Sequence, residues 1–245
     1  MRILCISDTT SSLAFSSNVR EIYKDVDLIL SCGDISVDSY DYVSTVLRRD
    51  LYYVYGNHNL KGFRHAMRLD GPSIGFGNSY RRPGEDESSR FYGFLIDGKC
   101  YRDRRTGLLI AGLGGSMKYN DGDSQYTERQ MKYRLWRLVP QLLYNKRRYG
   151  RYLDILVTHA PPFGVGDGPD LCHTGFKCFL HFIDRFQPRY LVHGHVHLDD
   201  ANAQRETVVG ATRIVNVYPS YLIDDGSLGS NGTAAASKPK EDGGL

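Results

Sequence analysis

A chain of 245 residues, 41% apolar and 24% charged, is long enough to bury a sizeable core and too apolar for a disordered class. Its formal net charge of +3 is too small to imply nucleic-acid binding by itself, and no apolar run approaches membrane-spanning length, so no membrane partner is expected. The five cysteines, Cys5, Cys32, Cys100, Cys172 and Cys178, form no Cys-x-x-Cys pair, and the first strand starts directly at the N-terminus; both point to a reducing cytoplasm.

Met1 to Asp8 reads as a buried strand, followed by a hydroxyl-rich loop from Thr9 to Ser17. Asn18 or Ser17 caps a short helix through Lys24, and Val26 to Ser31 is the next strand, a βαβ unit that favours parallel pairing. Asp38 to Asp50 carries a helical stripe at Tyr42, Val43, Val46 and Leu47 and leads into a strand from Leu51 to Tyr55. Lys61 to Leu69 reads as a further helix, and Gly71 to Arg90, rich in Gly, Pro, Ser and charge, as a loop. Phe91–Ile96 and Leu108–Ala111 are apolar strands flanking Asp97-Gly98, a hairpin-type turn signal. Gly112-Leu113-Gly114-Gly115-Ser116 is read as a tight turn, since it lacks the wider pattern of a phosphate loop.

Thr127 and Gln130 make a capping-box pair ahead of a stripe at Met131, Leu135, Leu138 and Leu142, in which Pro140 should kink or restart the helix. A strand then ends at His159, where Ala160-Pro161-Pro162 forces an extended exit into the Gly-rich stretch Phe163 to Pro169. Phe176, Phe179, Leu180 and Ile183 form a helix face that stops before Pro188, and Thr207–Gly210 with Arg213–Val217 pair as a closing hairpin. One domain over residues 1–223 and a disordered tail over 224–245 are expected, the domain being a layered α/β sandwich.

Five of these strands stop abruptly at side chains suited to metals. They are Ile3-Leu4-Cys5-Ile6-Ser7-Asp8, Leu28-Ile29-Leu30-Ser31-Cys32-Gly33-Asp34, Tyr52-Tyr53-Val54-Tyr55-Gly56-Asn57-His58, Ile155-Leu156-Val157-Thr158-His159 and Leu191-Val192-His193-Gly194-His195-Val196-His197. The C-terminal ends of strands in an α/β sheet face one crevice, and ligands bind there. His195 and His197, two apart on an extended segment, leave the same face and can share a pocket.

In order along the chain these segments resemble the calcineurin-like metallophosphoesterases. The family pattern Asp-x-His, Gly-Asp, Gly-Asn-His-Asp/Glu, His and Gly-His-x-His reads here as Asp8-Thr9-Thr10, Gly33-Asp34, Gly56-Asn57-His58-Asn59, His159 and Gly194-His195-Val196-His197. The resemblance implies a four-layer α/β/β/α sandwich and hydrolysis of a phosphomonoester or phosphodiester by water activated on one or two divalent ions, with Mn²⁺, Fe or Zn²⁺ suiting a mixed N/O ligand set. It implies that Asp34 bridges two ions, that Asn57, His159 and His195 complete one, and that Asp8 and His197 hold the other. His58, with Asn57 beside it, is then the catalytic group and gives a proton to the leaving oxygen.

Two residues depart from the pattern. Thr10 stands where the family places a metal-binding His, which takes a ligand from the Asp8/His197 ion. Asn59 stands where an acid usually follows the catalytic His, so it can orient His58 but not favour its imidazolium by charge. His193 is expected to be buried behind the ligands, and His173 is read either as a contact to substrate phosphate at a helix start or as a plain loop residue. The substrate is a phosphoester, with a nucleotide allowed. Basic clusters at Arg48-Arg49, Arg81-Arg82, Arg102 with Arg104-Arg105, and Lys146-Arg147-Arg148 permit a nucleic acid without requiring one. Two other readings stay open, a catalytically weakened binding or regulatory protein and a nuclease, both on this fold.

Overall fold

Alternate residues of each central strand enter different cores, as a side-chain period of two dictates for a sheet covered on both faces. In β1 (Arg2–Ile6), Ile3 and Cys5 join a cluster with Leu28, Leu30, Tyr52, Ile155, Val157 and Val192, while Leu4 and Ile6 join another with Val19, Tyr23, Ile29, Tyr40 and Val43. The first cluster lies between two sheets, and the second lies between a sheet and helices. Full burial of each such Leu or Ile contributes about 1.5–3 kcal/mol. The computed structural model describes residues 1–9, 16, 18–58, 93–198, 200 and 202–228.

One sheet has the order β13 (Ser220–Asp224), β1, β2 (Leu28–Ser31), β3 (Leu51–Tyr53), β4 (Gly93–Leu95), with β1 to β4 parallel and β13 antiparallel to β1. The other runs β11 (Glu206–Val209), β12 (Thr212–Asn216), β10 (Tyr190–His193), β9 (Ile155–Thr158), β6 (Leu109–Leu113), β5 (Lys99–Arg102). Its four inner strands are parallel, and β5 and β11 are antiparallel edges. A short parallel pair, β7 (Ser116–Met117) and β8 (Gln125–Tyr126), follows β6. Helices α1 (Val19–Ile22) and α2 (Val37–Leu47) cover the first sheet. Helices α3 (Glu128–Tyr149) and α4 (Lys177–Phe186) cover the second through Met131, Leu135, Leu138, Leu142, Phe179 and Ile183. The result is the α/β/β/α sandwich.

Local signals explain the starts of α2 and α3, whereas Asn18 at the head of α1 makes no side-chain cap bond. Ser36 accepts a hydrogen bond from the Ser39 N–H at 3.3 Å at the head of α2, and Thr127 and Gln130 form the expected capping box at the head of α3. Helix α3 does not restart at Pro140 but continues through it to Tyr149. Pro140 is exposed, so the Trp136 carbonyl that loses its helical donor can turn to water. Asp97-Gly98 does not close a hairpin either. It carries the chain from β4 in one sheet to β5 in the other, and the hairpin partners are β5 and β6. The Asp97 carboxylate is taken by the Gly114 N–H at 2.6 Å and by Arg134 at 2.5 Å, which fixes this crossing.

The folded part also runs past residue 223. Strand β13 extends to Asp224, and Leu228 is 4% exposed in the core between the sheets, so the expected start of a tail at Asp224 is too early. Residues 229–245, the expected helix over Lys61–Leu69, the loop over Gly71–Arg90, and Thr10 and Asn59 lie outside the described residues. No helix among the described residues is long and apolar enough to cross a membrane.

Candidate metal centre

Because β1, β2 and β3 run parallel in one sheet, and β9 and β10 in the other, their C-terminal ends deliver side chains to a common edge. Backbone bonds tie these ends to one another. The Asp8 N–H donates to the Gly33 carbonyl at 3.0 Å, and the Gly194 N–H donates to the His159 carbonyl at 3.1 Å. Asp8, Asp34 and His195 then sit at φ 65, 57 and 66, a left-handed conformation that turns each side chain sharply off its strand. Non-glycine residues adopt it seldom and at some cost, and such residues concentrate at functional sites.

Two glycines allow the ends to close on each other. A Cβ on Gly194 would stand 1.8 Å from Ser7 Oγ and 2.4 Å from Asp8 Oδ2, and a Cβ on Gly56 would stand 1.9 Å from Asp34 Oδ1. Across the gap between sheets the His195 N–H donates to Asp8 Oδ2 at 2.9 Å, and between neighbouring strand ends of one sheet the His58 N–H donates to Asp34 Oδ1 at 3.0 Å. Each carboxylate is therefore aimed by a backbone donor from another strand end.

His159 lies at the centre and is fully buried. Its Nδ1 is 2.8 Å from the Cys32 carbonyl, which can only accept, so Nδ1 carries a proton. Its Nε2 faces Asn57 Oδ1 at 2.8 Å and Asp34 Oδ2 at 3.3 Å, two oxygen acceptors. Acceptor oxygens thus converge on Nε2, a place that holds either a proton on the ring or, with the ring neutral, a cation shared by all of them. Burial opposes a charge on His159, yet Asp34 and Asp8 beside it hold its pKa up at about 9. Burial likewise opposes ionising Asp8, but His197 and His159 hold its carboxyl down at about 2, and His159 lowers Asp34 in the same sense. His195 and His193 go the other way, to about 4, chiefly through burial.

Asp8, Asp34 and His159 offer ligand atoms that all lie within 4.8 Å of one another, a spacing and donor set that fit a divalent cation. His197 Nε2 is 3.7 Å from Asp8 Oδ1, and its ring stacks on Tyr218 with centroids 4.3 Å apart. The His159 and His195 rings are 4.7 Å apart. Asp8, Asp34, His58, His195 and His197 line a cleft of about 270 Å³, with Cys172 and His173 entering from the loop between β9 and α4. All the expected site residues therefore meet in one region. His193 is buried, with Nδ1 3.1 Å from the Gly194 carbonyl oxygen. His173 does not start a helix, since α4 begins at Lys177, but it does reach the cleft, its ring 5.0 Å from that of His195.

Residues 1–199 match the calcineurin-like phosphoesterase family. The chain belongs to the calcineurin-like phosphoesterases. A UPF0046 protein of Caenorhabditis elegans is 24% identical over 210 residues, covering 80% of this chain, which spans 63% of that relative's length. Among solved structures, TT1561 of Thermus thermophilus superimposes with a TM-score of 0.53 at 16% identity, covering 88% of each chain. GAP50, the anchor in the inner membrane complex of Plasmodium, gives 0.50 at 12% identity over 88% of this chain and 70% of its own. At such identities the two structures share the fold, and a fold hosts more than one function.

Several residues of this calcineurin-like phosphoesterase site carried no signal in the sequence. Tyr119, beyond the glycine-rich turn after β6, accepts a hydrogen bond from Asn57 Nδ2 at 3.1 Å and fixes that amide so that its oxygen faces His159. Tyr218 supplies the face on which His197 rests. Cys172 joins His173 and His195 in a second group of close donors. Scattered tyrosines show no periodicity, and only the tertiary fold brings Tyr119 and Tyr218 to the cleft.

Proposed function

We propose that this protein is a metal-dependent phosphoesterase working in the cytoplasm, with Mn²⁺, Fe or Zn²⁺ held by Asp8, Asp34, Asn57, His159, His195 and His197. The observation that carries the reading is the convergence of two buried carboxylates on the Nε2 of a buried imidazole whose Nδ1 is already committed to a carbonyl. When bound, a divalent pair supplies an acidified water and neutralises charge on the phosphoryl oxygens.

The chain's own groups do the rest. Asp34, aimed by the His58 N–H, is the carboxylate shared between both halves of the donor set. Asn57 contributes a neutral oxygen, so it adds a ligand without adding charge. His58 lines the cleft and donates a proton to the departing oxygen. A nucleotide or other phosphoester enters through the open cleft.

The test uses protein stripped of metal and reloaded with Mn²⁺, Fe²⁺, Zn²⁺ or Co²⁺, assayed on an activated aryl phosphodiester and an aryl phosphomonoester. Turnover that returns with metal and is lost in Asp34→Asn and His159→Ala supports the reading. Absence of turnover with all four ions overturns it and favours the second reading, a binding or regulatory protein on the same fold, for which Thr10 and Asn59 are the motive.

A further inference from the structure

The cleft holds donors that this hydrolytic scheme does not use. Cys172, His173 and His195 bring a thiol sulfur and two ring nitrogens to within 4.8 Å of one another, close enough for one ion to touch all three. We propose that these residues form a second, thiophilic metal site, taking Zn²⁺ or another soft divalent ion, distinct in chemistry from the oxygen-rich set at the strand ends. The inference shares only His195 with the proposed phosphoesterase site, and the single free lone pair of that ring serves one ion at a time.

Three features favour a ligand role over a chance cluster. First, His173 is oriented as metal-bound histidines are: its Nδ1 is 2.9 Å from both oxygens of Asp170, which leaves Nε2 for the cleft. Second, the segment that carries it is pinned. The Thr174 hydroxyl donates to the Asp170 carbonyl at 2.8 Å, the Gly168 N–H donates to the His173 carbonyl at 3.0 Å, and the Gly175 N–H donates to Asp167 at 3.1 Å. Third, His195 Nε2 lies 2.8 Å from the Cys172 carbonyl oxygen, which can only accept, so Nε2 carries the proton, Nδ1 is the ring's ligand atom, and the bond joins the loop to the end of β10. Sulfur with two imidazoles selects zinc-like ions over Mg²⁺ or Ca²⁺, and a water can fill the fourth position of a tetrahedron. On loading, the Cys172 thiol releases its proton to solvent and the thiolate binds.

The probe is Co²⁺ added to the metal-free full chain, followed by absorption spectroscopy and by Zn²⁺ titration. A thiolate-to-cobalt charge-transfer band in the near ultraviolet is expected, absent in Cys172→Ser and kept in Cys100→Ser. Zn²⁺ capacity should fall by one ion in Cys172→Ser, and His173→Gln should repeat that loss should the serine variant fold poorly. A spectrum and a Zn²⁺ capacity unchanged in both variants overturn the proposal. The two readings fail separately: Asp34→Asn should abolish hydrolysis while keeping the sulfur band. Loss of hydrolysis without any sulfur band leaves only the phosphoesterase, and a sulfur band on a protein that never hydrolyses an ester leaves only this site.

Discussion

The two donor sets that meet at His195 are held by different means. At the strand ends the aim of every carboxylate comes from the backbone: peptide N–H groups of His195 and His58 point Asp8 and Asp34, and the Cys32 carbonyl points His159. On the loop it comes from side chains, with Asp170 holding His173 and the Asp167 carboxylate bracing the segment. In each set one member is buried and two are half-buried, so the two differ in what holds them and not in depth. A backbone scaffold is rigid but intolerant of added atoms, whereas a side-chain scaffold is adjustable and fails gradually.

The sharpest contrast should come from removing a strand-end carboxylate. Asp34→Ala leaves His159 without its nearest counter-charge and should lower metal-dependent hydrolysis by roughly 10³-fold, the upper range for losing one electrostatic stabiliser of a reaction. Steady-state kinetics and metal analysis on the same samples check this. Activity within tenfold of the parent would mean that the carboxylates do not serve the reaction. His58→Ala should follow, with a loss of about 10² on an ester with a poor leaving group. An activated aryl ester should be nearly spared, and bound metal should be unchanged. An equal loss on both esters would make His58 a binding group instead of a proton donor.

Gly194→Ala probes the backbone scaffold directly. The new methyl would overlap Ser7 Oγ and Asp8 Oδ2, and forcing an atom into a packed site costs about 1–3 kcal/mol. Thermal unfolding should move down accordingly. Because the displaced segment carries His195, metal should be lost from the strand-end set and the loop set together. Loss from one set alone would show that the two are not joined through this residue.

The strand-end set was readable from sequence because burial on both faces forces β1, β2, β9 and β10 to be continuous apolar runs, and a polar residue ending such a run stands out. Parallel order followed from the intervening helices, and four layers followed from the family resemblance. What remained hidden was tertiary. Asp97-Gly98 is a turn in the structure as in the sequence, but a local signal cannot report whether its flanking strands pair or separate into two sheets. Strand β13 sits beside a Gly- and Ser-rich end, and its three apolar residues, Tyr221, Leu222 and Ile223, are too few to show a period. Cys172 and His173 are adjacent, a spacing that matches no ligand motif, and their partner His195 is distant along the chain.

The smallest effect should fall on the loop set alone, through a residue that touches no strand end and meets the cleft only through His173. Asp170→Asn keeps the shape of the side chain but removes the charge that faces His173 Nδ1, and loss of such an outer partner weakens metal binding by about 10- to 100-fold. Competitive titration with Zn²⁺ should show that loss in the site that gives the sulfur band. Hydrolysis of the activated ester in Mn²⁺ should stay within about twofold, since the backbone donors that aim Asp8 and Asp34 are untouched and outer-partner effects are local. If hydrolysis fell in step with zinc affinity, the loop would be positioning the strand-end ligands through His195, and the distinction between a rigid set and an adjustable one would collapse into a single coupled centre.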